Sequence, residues 1–499
     1  MTTSDPSPAP FPGGDGGAVR TRFAPSPTGY LHVGTARTAL FNYLFARRNG
    51  GAFILRIEDT AVDRNVEGGA DALADALRWL GLPWDEGYGV GGPHGPYVQT
   101  ERLERYRDAA RRMVAEGAAY LCWCTPEEIE ARAAARREAG LPSRQGYDRH
   151  CRDLSDAQRR AFEAEGRVPA VRFRMPSEGV TVVDDLIRGR VEFDNAHETD
   201  RVILRPSGIP TYQLAVVYDD VDMGITHVIR GEDLFPSTPM QIHVAAALDR
   251  PAPPAFAHLP LLVGPDRRKL SKRFGDVALE VFRERGYLPE AMVNYLALLG
   301  WSLDDHTELF SLAELERAFT IERVTRNPAM FDPVKLDAIN GQHLRALPAA
   351  EFAGRALPFV RRAGFGDGSD RDLALLERAA PLVQERVTRL DEVPGMVGFL
   401  YADTLEVDPA DVAKVLTDAG REFLEAAAKA LEALPDWTAE AIEATLRALQ
   451  QERGIGAKRA FQPVRLAITG RLVSPPLFES MALLGRERSL ARLAAATRS

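Results

Sequence analysis

Between residues 19 and 58 the spacing of apolar side chains changes period twice, and few folds accept that order. Val19-Arg20-Thr21-Arg22-Phe23-Ala24 alternates and runs into Pro25, as a strand does at its end. Pro25 to Gly29 is turn chemistry, in which proline fixes φ and glycine is free to take a positive one. From Thr35 the period lengthens. Ala39, Leu40, Tyr43 and Leu44 recur at helical spacing until Asn49-Gly50-Gly51 stops the helix. Phe53 to Glu58 is a second strand. Strand, helix, strand in this order predicts an α/β domain around a parallel sheet. His32 and Gly34 then fall where a strand hands over to a helix, and there free backbone N–H groups and the helix dipole favour an anion. Gly34 leaves room for a base or phosphate against the backbone, and His32 can donate to phosphate oxygens. A histidine that only caps the helix is the plainer alternative.

A second stretch bears on that choice. Gly264-Pro265-Asp266-Arg267-Arg268-Lys269-Leu270-Ser271-Lys272-Arg273-Phe274-Gly275 gathers five cations in a loop bounded by glycines. A solvated basic turn is one reading. The other is a loop that closes over a polyphosphate and neutralises charge as it develops. Taken together, the two stretches predict a nucleotide-binding domain that stabilises the phosphates of ATP while an acid is activated. Neither the Walker phosphate loop nor the Gly-x-Gly-x-x-Gly fingerprint is the motif here.

The rest of the composition sets bounds. At 45% hydrophobic and 27% charged, the 499 residues suit a soluble globular protein with three or more domains of roughly 150 residues each. No apolar run approaches the ~20 residues of a membrane span. Met1 to Gly17 is rich in Pro, Gly and Ser and reads as a disordered tail rather than a signal peptide. Three cysteines give no disulfide framework and suit a reducing cytoplasm. A net charge of −9 by itself argues against nucleic-acid binding. Local potential governs docking, however, and Arg132 to Arg137 and Arg267 to Arg273 are basic clusters.

With these residues in view the chain resembles the class I aminoacyl-tRNA synthetases, and most of all their bacterial glutamyl branch. His32-Val33-Gly34-Thr35 is similar to the family's His-Ile-Gly-His signature, with Thr35 in place of the last histidine. Lys269-Leu270-Ser271-Lys272-Arg273 is similar to its Lys-Met-Ser-Lys-Ser loop. The glutamyl branch is indicated by Arg22 to Gly29, Arg56-Ile57-Glu58-Asp59-Thr60, Pro210-Thr211-Tyr212 and Ile229-Arg230-Gly231-Glu232-Asp233. The resemblance runs from about residue 19 to the C-terminus.

It implies a Rossmann-like catalytic domain of class I, an inserted acceptor-binding domain and an all-helical anticodon-binding region. The boundaries expected are a tail over 1–18, the first catalytic half over 19–105 and the insertion over 106–205. The second catalytic half covers 206–262, the signature loop and a helical stem-contact region 263–345, and the anticodon-binding region 346–499. Within the second half, Tyr212 to Asp220 is an apolar run ending in acids and reads as a buried parallel strand. His227 to Asp233 reads as another strand end. From Leu279 the chain reads as almost wholly helical.

The implied reaction has two steps. L-glutamate attacks the α-phosphate of ATP, giving glutamyl-adenylate and pyrophosphate, and the acyl group then passes to the 3′ end of tRNA(Glu) with release of AMP. The nucleophiles belong to the substrates, so positioning and electrostatics carry the catalysis. The resemblance gives His32, Lys269 and Lys272 the catalytic roles. It places ATP, with Mg²⁺ on its polyphosphate, against His32, Gly34, Thr35, Asp233, Lys269, Leu270, Ser271, Lys272 and Arg273. Glutamate would meet Arg22, Ala24, Ser26, Glu58, Tyr212 and Arg230, with arginine forks for carboxylates and Glu58 for the ammonium. A salt bridge between Arg22 and Glu58 is the alternative for that pair. Arg386, and Gly456 to Arg465, fall where the family reads the anticodon; a solvated helical arginine is the other reading of Arg386. The implied protein is a cytoplasmic monomer, free of membrane, in which activation waits for bound tRNA.

Cys122-Trp123-Cys124 and Cys151-Arg152-Asp153 hold all the cysteines in one window. Thiolates plus one further ligand can hold a structural tetrahedral zinc, and some family members carry such a site. Here Asp153 takes the fourth place, with His150 as its rival, and three buried or free thiols are the alternative. Two other readings of the whole chain stand beside the first. One is an enzyme that also charges tRNA(Gln), or a glutamyl transferase of tRNA modification, although the long helical C-terminus opposes the latter. The other is an RNA-binding protein that kept the fold without the chemistry.

Overall fold

The computed structural model describes residues 18–140, 147–250, 252–270 and 277–498. All of the expected tail over 1–18 except Ala18, and Ser271, Lys272 and Arg273 of the basic loop, lie outside these residues. The chain divides into two units, Met1–Val281 with Met292–Asp332, and Phe282–Ala291 with Pro333–Ser499.

The first unit opens with β1 (Arg20–Phe23), α1 (Val33–Arg48) and β2 (Ala52–Leu55), as the changes of period predict. The strands are parallel, with Arg20 opposite Ala52 and Phe23 opposite Leu55. The return into β2 requires glycine, because a Cβ at Gly51 would lie 2.2 Å from the Val19 carbonyl oxygen. Next come α2 (Gly69–Trp79) and β3 (Glu86–Gly87), which lies parallel to β2. Beyond α3 (Leu103–Ala115), β4 (Ala119–Cys122), α4 (Pro126–Glu138), α5 (Asp156–Ala164) and β5 (Ala170–Phe173) follow in turn. The hairpin β6 (Val180–Asp185) and β7 (Gly189–Asp194) precedes β8 (Val202–Leu204). After α6 (Tyr212–Asp222) the chain forms β9 (His227–Gly231), α7 (Thr238–Ala246) and β10 (Ala255–Leu259).

Strands β4, β5 and β8 make a small antiparallel sheet of their own. The hairpin does not belong to it. Although β6 and β7 fall inside the segment 106–205, β6 pairs with β10 and extends the sheet β7-β6-β10-β9. That sheet meets β1 at β9, where the Thr226 N–H donates to the Arg20 carbonyl at 3.0 Å. The strand order therefore runs outward in opposite directions from β1 and β9. Open α/β sheets take their ligands outside the carboxyl ends of strands at such a switch point.

One sequence expectation is overturned. Tyr212 to Asp220 is the body of a helix, α6, and not a strand. Leu214, Ala215, Val216 and Val217 are all buried, in a core shared with Tyr106, Met113, Met240 and Val244. An apolar run buried on every side carries no period to distinguish helix from strand, and its β-branched valines favoured the wrong one.

The second unit is helical throughout its described residues, from Pro333–Ala346 to Arg486–Arg498. Several of its helices bury an apolar stripe. In Asp418–Glu432 the stripe is Phe423, Leu424, Ala427 and Leu431, and in Ala439–Glu452 it is Ile442 and Leu446.

Candidate active site

A cleft of about 460 Å³ opens at the switch point. It is lined by Arg22, Ala24, Ser26, His32, Gly34, Thr35, Glu58, Tyr212, Arg230, Asp233, Lys269 and Leu270. Every glutamate-site and ATP-site residue expected from the sequence that lies among the described residues is thus in one cavity.

The first signature stretch pairs through its backbone with the chain just beyond the basic loop. Val33 N–H donates to the Val277 carbonyl at 3.0 Å, and Leu279 N–H to the Leu31 carbonyl at 2.9 Å. Leu270 N–H donates to the Leu262 carbonyl at 2.8 Å, which closes the basic loop on its near side. His32 caps α1, its Nδ1 accepting from the Gly34 N–H at 3.1 Å. In the neutral ring the proton therefore sits on Nε2. A Cβ at Gly34 would make only ordinary contacts, 3.5 Å to His32 Nδ1 and 3.7 Å to Leu262 Cδ1. Packing within the chain does not demand glycine there, although glycine in a helix costs about 0.5–1 kcal/mol. Lys269 and Asp233 form an exposed pair at 3.2 Å.

The floor on the β2 side is a closed network of charge. Arg22 Nε donates to Asp220 at 3.1 Å, and Arg56 spans Asp220 at 2.8 Å and Glu58 at 2.9 Å. Asp219 also takes Arg102 at 2.8 Å, Gln99 at 2.9 Å and the Tyr106 hydroxyl. Arg22 and Glu58 therefore do not pair with each other; each has its own partner. Burial would lower Arg56, but Asp220, Asp219 and Glu58 outweigh it and hold it above its ordinary value. Burial raises Glu58 and Asp219. Burial would raise Asp220 as well, but Arg22 and Arg56 hold it below the ordinary range.

Arg230, on β9, is equally buried and differently held. Its partners are His258 Nε2 at 2.9 Å, the Tyr212 hydroxyl at 3.2 Å, Gln241 Oε1 at 2.7 Å and Thr238 Oγ1 at 2.9 Å. All are neutral, and no carboxylate among the described residues pairs with it. Burial lowers it from its ordinary value. Arg37 is a second buried cation of the cleft without a salt bridge among these residues. Its guanidinium donates to the carbonyls of Leu299 and Pro260, and burial brings it down to about 10 against the pull of Glu232.

Sequence reasoning missed Arg56, Arg37, Asp219, Asp220 and His258 as parts of this site. Arg56 had a signal: it stands two residues before Glu58 in extended chain and so on the same face. The two aspartates had one as well, since acids inside an apolar run need partners. His258 and Arg37 had none.

The cysteines lie in the antiparallel part of the same unit. Their sulfurs fall within 4.8 Å of one another, with Cys124 and Cys151 at 3.3 Å. Cys122 Sγ is 3.3 Å from the Tyr147 hydroxyl. Arg132 donates to Cys124 Sγ at 3.0 Å, and Arg172 to Cys122 Sγ at 3.2 Å. Hydrogen bonds from Cys124 and Cys151 push the Cys122 thiol down. Asp153 is not part of the cluster: its side chain is exposed and bonds Arg174 at 3.0 Å. His150 is exposed too. The Cys-x-Cys…Cys-x spacing pointed to position 153, but the turn that carries Cys151 turns that carboxylate outward.

In the helical unit, Arg386 ends a short 3₁₀ turn and is exposed. It lies close enough to Arg465 to depress that group, after the larger effect of burial. Of all described helices, none is long and apolar enough to cross a membrane.

Residues 18–338 match the family described as tRNA synthetases class I (E and Q), catalytic domain, and residues 351–497 match an anticodon binding domain. A glutamate–tRNA ligase of Saccharopolyspora erythraea is 50% identical over 486 residues, covering 96% of each chain. One of a Nocardioides species is 49% identical, covering 96% of this chain and 98% of its own. Among solved structures, a glutamate tRNA ligase from Elizabethkingia meningosepticum in complex with its amino acid superposes with a TM-score of 0.86 at 32% identity, over 97% of this chain and all of that one. With the cleft, its two signature stretches and these likenesses in hand, the chain belongs to the glutamate–tRNA ligases, class I aminoacyl-tRNA synthetases.

Proposed function

We propose that the cleft activates L-glutamate with ATP and passes the glutamyl group to the 3′ end of tRNA(Glu). The observation that carries this is Arg230, a buried guanidinium whose partners among the described residues are all neutral. A buried charge without a counter-ion is costly, and a substrate carboxylate removes that cost. Arg230 and the Tyr212 hydroxyl therefore take a glutamate carboxylate. Glu58, which lines the same cleft, faces the ammonium, and Ala24 and Ser26 complete that wall. Arg22 is neutralised by Asp220 and contributes less to carboxylate binding than Arg230 does.

ATP lies against Gly34, Thr35 and Leu270 at the start of α1, with Mg²⁺ on its polyphosphate. His32 donates from Nε2 to a reacting phosphate, and Lys269 and Lys272 neutralise the charge that grows there. The helical unit reads the anticodon, with Arg386 and Arg465 as its basic contacts. The protein works as a cytoplasmic monomer.

The thiol triad fits a structural zinc. Three sulfurs stand together and two guanidiniums donate to them, and Cys122, which takes the Arg172 bond, is the one held toward thiolate. Cys122, Cys124 and Cys151 would hold the ion, with the Tyr147 hydroxyl rather than Asp153 as fourth donor; its effect would be to brace the antiparallel sheet. The test of the whole reading is pyrophosphate exchange and aminoacylation with glutamate, ATP and purified tRNA(Glu) and tRNA(Gln). Exchange that appears with tRNA(Glu) is expected. Its absence under every combination would leave only a binding protein.

A further inference from the structure

Arg230 Nε–H donates to His258 Nε2 at 2.9 Å. An imidazole nitrogen that accepts carries no proton, so the proton of His258 must sit on Nδ1. Nδ1 is 2.6 Å from Asp185 Oδ2, and both side chains are fully buried. Asp185 is itself fixed from three directions. Its Oδ1 accepts from the N–H groups of Ile187 at 3.0 Å and Arg188 at 2.8 Å, and its Oδ2 from the His258 N–H at 3.1 Å. The strand register makes this possible. His258 of β10 stands opposite Arg230 of β9, while Phe256 of β10 stands opposite Asp185 of β6. The three side chains thus form a line across three parallel strands, ending at the cleft. With the proton on the other nitrogen, two N–H groups would oppose each other at this distance and Arg230 would have to turn.

We infer that His258, held in one tautomer by Asp185, is a positioning residue that aims Arg230 at the side-chain carboxylate of the substrate and so sets the preference for glutamate over glutamine. This rests on the reading that Arg230 receives that carboxylate. An uncharged amide takes little from a guanidinium whose aim is fixed, whereas a carboxylate gains a charge-assisted bond whose strength depends on alignment. Burial outweighs the upward pull of Asp185 and, with the neighbouring Arg230 and Arg188, keeps His258 below its ordinary pKa, so the ring stays neutral and able to accept.

The test is steady-state aminoacylation by the full chain with glutamate, glutamine and ATP varied in turn. His258→Phe keeps the ring shape and removes the acceptor. It should raise KM for glutamate roughly 10- to 100-fold, the range of one lost bond to a charged group. KM for ATP and kcat should stay within about twofold, and the ratio of kcat/KM for glutamate over glutamine should fall by a like factor. His258→Gln, whose amide oxygen can accept from Arg230, should recover most of the loss. Asp185→Asn presents an amide N–H to Nδ1, drives the proton to Nε2 and should reproduce the phenylalanine variant; it decides the matter if His258→Phe does not fold. Arg230→Ala is the control. If it leaves KM for glutamate unchanged, the reading of Arg230 fails. If it raises KM and the His258 and Asp185 variants do not, the positioning role alone is overturned. A parallel decline of kcat and of both KM values would likewise overturn it, as general structural damage.

Discussion

Arg56, the residue just past the end of β2, and Arg230, on β9, lie on either side of β1, both buried, and they are held in opposite ways. Arg56 has three carboxylates around it, so its charge is spent within the chain. Arg230 has four neutral acceptors or hydroxyls, so its charge remains to be met. The direction of each pKa carries the same distinction, above the ordinary value for Arg56 and below it for Arg230. Burial of an arginine therefore does not announce its role. The charge of its partners does, because desolvation must be offset by a counter-ion of the chain or by one that arrives as substrate.

The contrast breaks most visibly at Arg56. Arg56→Met leaves Asp219, Asp220 and Glu58 buried with fewer cations, and should cost about 3–5 kcal/mol of stability, read from chemical denaturation. Arg230→Ala should act on substrate instead. A loss of about 2–5 kcal/mol in glutamate binding, seen as a higher KM, is expected, with a thermal midpoint far closer to the parent than that of Arg56→Met. If the two variants lost stability equally, the distinction between spent and available charge would fall.

Acid sharpens the comparison. His258, faced by Asp185, Arg188 and Arg230, titrates below its ordinary value. The stability linked to a depressed histidine is present above pH ~6.5 and is lost as pH falls below that value, because the unfolded chain then binds more protons. His227, lowered by burial to about 4, adds to the same slope. Asp220 is held below the ordinary carboxylate range and keeps its charge further into acid. The midpoint of thermal unfolding should thus decline between pH 6.5 and 4, and His258→Gln should flatten part of that decline. The smallest effect belongs to the mouth of the cleft. Asp233 and Lys269 are both more than half exposed, and Asp233→Asn should change stability by no more than about 1 kcal/mol. A larger change would show that the pair is shielded as the floor is.

Much of this site could be read from the chain because it is built at turns, where few residue types are admissible. The proline–glycine turn after β1 and the helix start at His32 depend on local chemistry, which sequence displays directly. The glutamyl motifs placed Arg22, Glu58, Tyr212 and Arg230, and all four line the cleft. What could not be read depends on register and on pairing between distant strands. His258 acquires its meaning only when β10 lies beside β9, and Asp185 only when the β6–β7 hairpin joins that sheet. The misreading of α6 has the same source: the surroundings that bury every side of Tyr212 to Asp220 are supplied by α3 and α7 and by no local pattern. Asp153 failed for a related reason, since spacing along the chain gives the distance between residues but not which way a turn aims them.

The hairpin that carries Asp185 also ends the sheet, and this bears on how open that border is to another strand. β7 pairs with β6 on one side and has no strand beyond it among the described residues. An open strand of six residues is a template for adding another chain, and such edges are hazards for aggregation. Here Val191 and Phe193 turn toward the partly buried face, while Arg190, Glu192 and Asp194 are exposed. Arg190 meets Glu192 at 3.1 Å and Asp184 of the neighbouring strand at 3.7 Å. A foreign strand would have to strip water from this charged row before it gained a single ladder bond. At the opposite edge β3 is only two residues long, too short to nucleate pairing. Exchanging Glu192 and Arg190 for valine would leave the cleft untouched and convert a guarded border into a sticky one.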